Sequence, residues 1–132
     1  MENTWKYKID LRDEQMFGKI EEQLQLSFPE KLKAFIRAHN AATPARHKFM
    51  VGVSEQVFGA VLSFNEKEEE ADTVSTALKA VRGEDLIPFG IDPFGNYICY
   101  RTEDGKIVFW EHETGKYQNT ELTLDRFLDS LY

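Results

Sequence analysis

The chain has 132 residues, a length that suits a single domain spanning 1–132 with one buried core. Hydrophobic residues make up 42% of it and Phe is the commonest aromatic, which excludes a disordered chain. The net charge of −7 is lopsided, +1 over residues 1–65 and −8 over residues 66–132. So acidic a surface argues against direct nucleic-acid binding, which needs cations against phosphates, and favours a basic protein partner.

Cys99 is the one cysteine, so no intramolecular disulfide can form, and a reducing compartment fits. The first residues lack the apolar stretch of a signal peptide, and no run approaches a membrane span. A cytoplasmic protein without a membrane partner is expected, as a monomer or weak dimer.

A first helix is expected to start at Asp10 or Asp13, both good N-caps, with Phe17, Ile20 and Leu24 as its apolar stripe. A second starts near Phe28-Pro29, since proline favours the first helical position. Phe28 is then its N-cap, with Ser27 and Glu30 as a competing capping box. Leu32, Phe35 and Ile36 face inward, and Lys31, Lys33 and Arg37 face water. Asn40 is placed to end this helix in the left-handed conformation, and Thr43-Pro44 forbids continuation. Two strands follow, Lys48–Val53 and Gln56–Asn65, joined by Ser54-Glu55, with Gly52 and Gly59 marking bulges or close backbone approach.

The charge run Glu66-Lys67-Glu68-Glu69-Glu70 precedes a short helix carrying Val74, Leu78 and Val81, where carboxylates suit a helix N-terminus. Gly83 ends that helix. From Leu86 the chain is sheet-rich. Leu86–Gly90, Tyr97–Tyr100 and Ile107–Glu111 read as strands. Ile91-Asp92-Pro93-Phe94-Gly95-Asn96 and Glu103-Asp104-Gly105 are the turns between them. A last helix begins at Thr123 or Asp125 and turns Leu124, Phe127, Leu128 and Leu131 inward. Helices at the ends and hairpin-linked strands between them imply an α+β fold: a mainly antiparallel sheet with about four helices.

The pattern supplies no set of catalytic groups. His39, His47 and His112 lack metal-ligand spacing, no nucleotide loop appears and the serines lack a nucleophile elbow. No cofactor or metal is expected. In Glu111-His112-Glu113, strand alternation would put the two carboxylates on one face and the imidazole on the other. Cys99, mid-strand between Ile98 and Tyr100, reads as a buried structural thiol. Of Phe109 and Trp110, one that failed to enter the core would be a binding anchor.

Three features resemble one family. They are a Pro93-Phe94-Gly95 strand end, a Gly95-Asn96 before an aromatic strand, and Val108-Phe109-Trp110-Glu111-His112-Glu113. Together with Phe28–Ile36, Asn40 and the closing helix Leu124–Leu131, this is similar to the SUKH superfamily (the Smi/Knr-like domains) from about Phe17 to Leu131. One departure is Ala41-Ala42, where the family usually has glycines. The resemblance implies a SUKH-like fold without catalysis. It also implies an immunity protein, or antitoxin, that blocks a cognate polymorphic toxin, with a nuclease as the expected class. A regulatory Smi/Knr-type interaction module is the alternative. The partner-binding residues expected on this reading are Glu68, Glu69, Glu70, Asp72, Asp92, Glu103 and Asp104. Lying on loops or helix starts in water, they would steer the partner and make rim contacts, with Tyr97 or Trp110 as an aromatic anchor.

Overall fold

Thirteen short elements build the chain, and a computed structural model describes residues 2–132. The elements are β1 (Trp5–Lys6), α1 (Gln15–Leu24), α2 (Glu30–His39), β2 (Thr43–Pro44), β3 (Lys48–Val51), β4 (Ser54–Val57), β5 (Ala60–Val61), α3 (Val74–Ala80), β6 (Leu86–Ile91), β7 (Tyr97–Arg101), β8 (Lys106–Glu111), β9 (Lys116–Thr123) and α4 (Leu124–Ser130). The expected α+β class holds. Among the described residues there are four helices, two small ladders (β1-β2 and β3-β4) and one five-stranded sheet, β5-β6-β7-β8-β9. Every strand pair is antiparallel. A single parallel bridge joins Ser63 to Thr73.

The core is aromatic. Phe35 from α2, Phe58, Phe89 from β6 and Phe127 from α4 meet with ring centroids 6.0 to 6.5 Å apart, and Phe49 from β3 bridges Phe127 to Phe109. A second group, Phe17, Phe28 and Phe64, holds α1 against the loop after β5. Burying each such ring contributes about 2–3 kcal/mol, so these phenylalanines dominate cohesion.

Several local expectations shift. Helix α1 starts later than Asp10, at Gln15. Asp13 still contributes, accepting the Gln15 N–H at 3.3 Å. The N-cap of α2 is Pro29, neither Phe28 nor Ser27. Phe28 is drawn into the core while its N–H goes to Glu21 Oε2 at 2.8 Å. The charge run does not enter the first turn of α3, because Thr73 caps that helix by accepting the Thr76 N–H. The β3–β4 loop is Gly52-Val53, not Ser54-Glu55, and Gly52 takes the positive φ of 59° that a two-residue loop needs. The long strand expected over residues 56–65 is broken at Phe58-Gly59. A Cβ on Gly59 would lie 2.8 Å from the Ile91 carbonyl, so β5 can approach β6 only with glycine there.

Asn40 is the main correction. It is extended (φ −51°, ψ 127°), and Ala41 takes the left-handed φ of 62° instead. Asn40 works through its side chain, which is fully buried. Its Nδ2 donates to Ile9 O (3.0 Å) and Ser63 Oγ (3.3 Å), and its Oδ1 accepts from Phe64 N (2.7 Å). One amide thereby joins the segment before α1, the end of α2 and the strand-like stretch after β5.

Two features escaped sequence reading. β1 and β2 are two residues each, below any periodic signal. β9, KYQNTELT, is the outer strand of the sheet and carries mostly polar residues, so it shows no buried face. A turn ending in Gly115, φ 69°, leads into it. β8 consequently ends at Glu111. His112 and Glu113 lie in that turn, and strand alternation does not govern them.

Candidate partner-binding surface

The sheet orders its side chains by pairing. Tyr97 faces Trp110 and Ile98 faces Phe109 across the β7–β8 ladder, so Tyr97 and Trp110 share one face and Ile98 and Phe109 the other. Both expected anchors are buried. Trp110 is 5% and Tyr97 8% exposed, with their rings 5.8 Å apart at 31°. They are packing residues and offer a partner little area. Desolvation and then the Asp72 carboxylate push the Tyr97 phenol above its ordinary range.

The expected acids separate into three kinds. Glu68 and Asp92 are not solvated. The Glu68 side chain is only 4% exposed. It accepts from Ser63 Oγ and Asn65 Nδ2, both at 3.2 Å, and pairs with Arg12 at 3.3 Å. Desolvation acts to raise this carboxyl, but hydrogen bonds from Asn65, Arg12 and Ser63, with the Arg12 charge, outweigh it and hold it below its ordinary value. Asp92 is buried inside its own turn. Oδ1 accepts the Phe94 and Asn96 N–H groups at 2.9 and 2.8 Å, and Oδ2 accepts Asn96 Nδ2 at 2.9 Å.

Asp104 is exposed but occupied. Arg101 reaches it with two nitrogens at 3.1 and 2.5 Å, and the Lys106 N–H adds a third contact at 3.1 Å. The Arg101 hydrogen bonds, against slight desolvation, bring its pKa to about 2. Glu69, Glu70, Asp72 and Glu103 are the expected acids that stand in water.

These residues do not form one patch. Tyr97 begins β7 and Arg101 ends it, about 13 Å further along at strand rise. Glu103 and Asp104 therefore lie beyond the far end of the hairpin, while Glu69, Glu70 and Asp72 belong to the loop before α3, tied to the stretch after β5 by the Ser63 N–H, which donates to the Asp72 carbonyl at 2.8 Å. That loop is anchored from behind. Lys19 pairs with Glu66, Arg12 Nη2 donates to the Lys67 carbonyl at 3.0 Å, and Asn65 Nδ2 donates to Asp10 O at 3.1 Å. These bonds fix the base of the loop and so limit the backbone that remains to be ordered on binding.

The Tyr97 end of the sheet holds residues that sequence reasoning did not assign to the surface. Phe94, at the tip of the β6–β7 turn, is 74% exposed. Glu111 and Glu113 flank the start of the neighbouring turn. The available signal was a large apolar residue between Pro93 and Gly95, where neither a strand nor a core position is open to it.

Cys99 is fully buried and desolvation pushes its thiol far up, so no thiolate is at hand. Among the described residues, no three His, Cys, Asp or Glu side chains are grouped to hold a metal, and no helix is long and apolar enough to cross a membrane. The chain belongs to the SMI1 / KNR4 family (SUKH-1), whose model matches residues 13–130, a family of non-catalytic interaction domains. No curated protein matches the chain.

Proposed function

We propose that this chain is an immunity protein that binds and neutralises a cognate polymorphic toxin, of nuclease type, by covering its basic substrate cleft. The observation that carries the reading is the exposed, pre-positioned acidic loop of Glu69, Glu70 and Asp72 on a half-chain of net charge −8. A nuclease cleft is cationic because it binds phosphates, so an acidic protein surface competes for the same field. Complementary charge accelerates encounter, and the buried supports of the loop limit the entropy lost on docking. Glu68 and Asp92 act in this reading as supports, and Tyr97 and Trp110 as the packed floor beneath the surface.

Co-expression with each protein encoded by the genes adjoining this chain's own, any nuclease-like one first, tests the reading. Survival together with a stoichiometric complex on pull-down is the expected result. Neither rescue nor complex would remove immunity against those proteins and leave a regulatory interaction module as the reading.

A further inference from the structure

The turns 92–96 and 112–115 are joined into one rigid unit. Asn96 Oδ1 accepts the His112 N–H at 3.0 Å, and the His112 ring stands 3.8 Å from where a Cβ on Gly95 would be. Asp92 fixes the first turn from inside, and Pro93 sets its own φ. Between the turns and β4 runs a half-open cleft of about 260 Å³, lined by Gln56, Phe94, Phe109, Glu111, His112 and Glu113 among others. Phe109 is 2% exposed and supplies its floor, while Phe94 stands 74% exposed at its rim. Glu113 is exposed and Glu111 half-buried, the latter accepting from Gln118 Nε2 at 3.0 Å. Across the ladder from Glu111 is Lys116, also exposed.

We propose that this cleft seats one lysine or arginine side chain of a basic protein partner. One exposed aromatic ring and two carboxylates around a cleft match the two halves of such a side chain. Its methylene stem packs on Phe94, with Phe109 closing the cleft from below, and its charged head reaches Glu111 and Glu113. An acidic peptide or a phosphate would meet the same carboxylates and be repelled. Phe94 thereby takes the anchoring role that Tyr97 and Trp110 cannot fill. The proposal rests on the reading of a basic partner and assigns where one of its side chains docks.

The test uses N-acetyl-arginine amide as probe, titrated into the isotopically labelled chain at millimolar concentration and low salt, with N-acetyl-citrulline amide as its neutral near-isostere. The expected result is saturable shifts of the backbone amides of Gln56, 94–96 and 109–113 with the arginine compound alone. Phe94→Ala and Glu113→Gln each weaken that binding about five-fold, while the rest of the spectrum stays in place and shows both variants folded. Equal shifts with citrulline, shifts centred on residues 69–72, or variants that bind as the wild type does would overturn the cleft assignment. Failure is separable from that of the immunity reading. A cleft that seats arginine in a chain giving no toxin rescue removes only the toxin, whereas rescue without arginine binding removes only the cleft.

Discussion

Asn40 shows how one side chain can hold together parts of the chain that share no ladder. Its amide satisfies Phe64 N–H and Ile9 O at zero exposure, where a lost partner cannot be replaced by bulk water. Asn40→Ala is expected to cost about 2 kcal/mol, from the buried Phe64 N–H left unpaired and the half-buried Ile9 carbonyl losing a donor, and urea unfolding measures it. Its role was only half legible. An asparagine after an amphipathic helix does mark the helix end, but the left-handed residue is Ala41, one position on. The side-chain partners lie 31 and 24 residues away, beyond any local pattern.

Asp104 is a second residue whose surroundings set its chemistry. Held by Arg101, it titrates near pH 2 in the folded chain, against about 3.8 when free. Because the folded value is the lower one, the interaction is fully present above about pH 4 and is lost as pH falls through 2. Carboxyl NMR should place the Asp104 midpoint near 2 in the wild type and return it toward 3.8 in Arg101→Met. An unchanged midpoint in that variant would assign the shift to something other than the guanidinium.

At the scale of elements, legibility followed burial. α1, α2 and α4 carry apolar stripes, and β6, β7 and β8 are apolar runs between turn signals, so periodicity and turn chemistry locate them. β9 is polar because it is an outer strand, and what makes it a strand is the ladder with β8. The break at Phe58-Gly59 also depends on a neighbour, since only β6 makes the glycine necessary. Gly59→Ala is expected to destabilise the chain by about 2 kcal/mol, because the methyl group would meet a backbone oxygen that cannot rotate away. Denaturant midpoints compare the two proteins. Gly18→Ala, at a helical site with open space around it, should by contrast stabilise by about 0.5–1 kcal/mol.

Over the whole molecule, the acidic bias of residues 66–132 was visible in composition, but its division into supports and surface was not. Glu68 is held by Arg12, which lies in the segment before α1, and Asp92 by the backbone of its own turn, so both are spent inside the fold. Glu69, Glu70 and Asp72 keep their charge outward in the loop before α3, and Glu103 does so in the separate β7–β8 turn. Geometry thereby provides an internal control: reversing charge in the loop should affect a basic partner and in the turn should not.

Calorimetric titration of the chain with a basic nuclease-type toxin identified by co-expression rescue, at low and at physiological salt, tests the acidic-surface reading most directly. A one-to-one complex is predicted, weaker at higher salt. The combined Glu69→Lys, Glu70→Lys and Asp72→Lys variant should bind about tenfold or more weakly, while Glu103→Lys binds as the wild type does. No complex at low salt, or a triple variant that binds undiminished, would contradict an acidic-surface immunity protein.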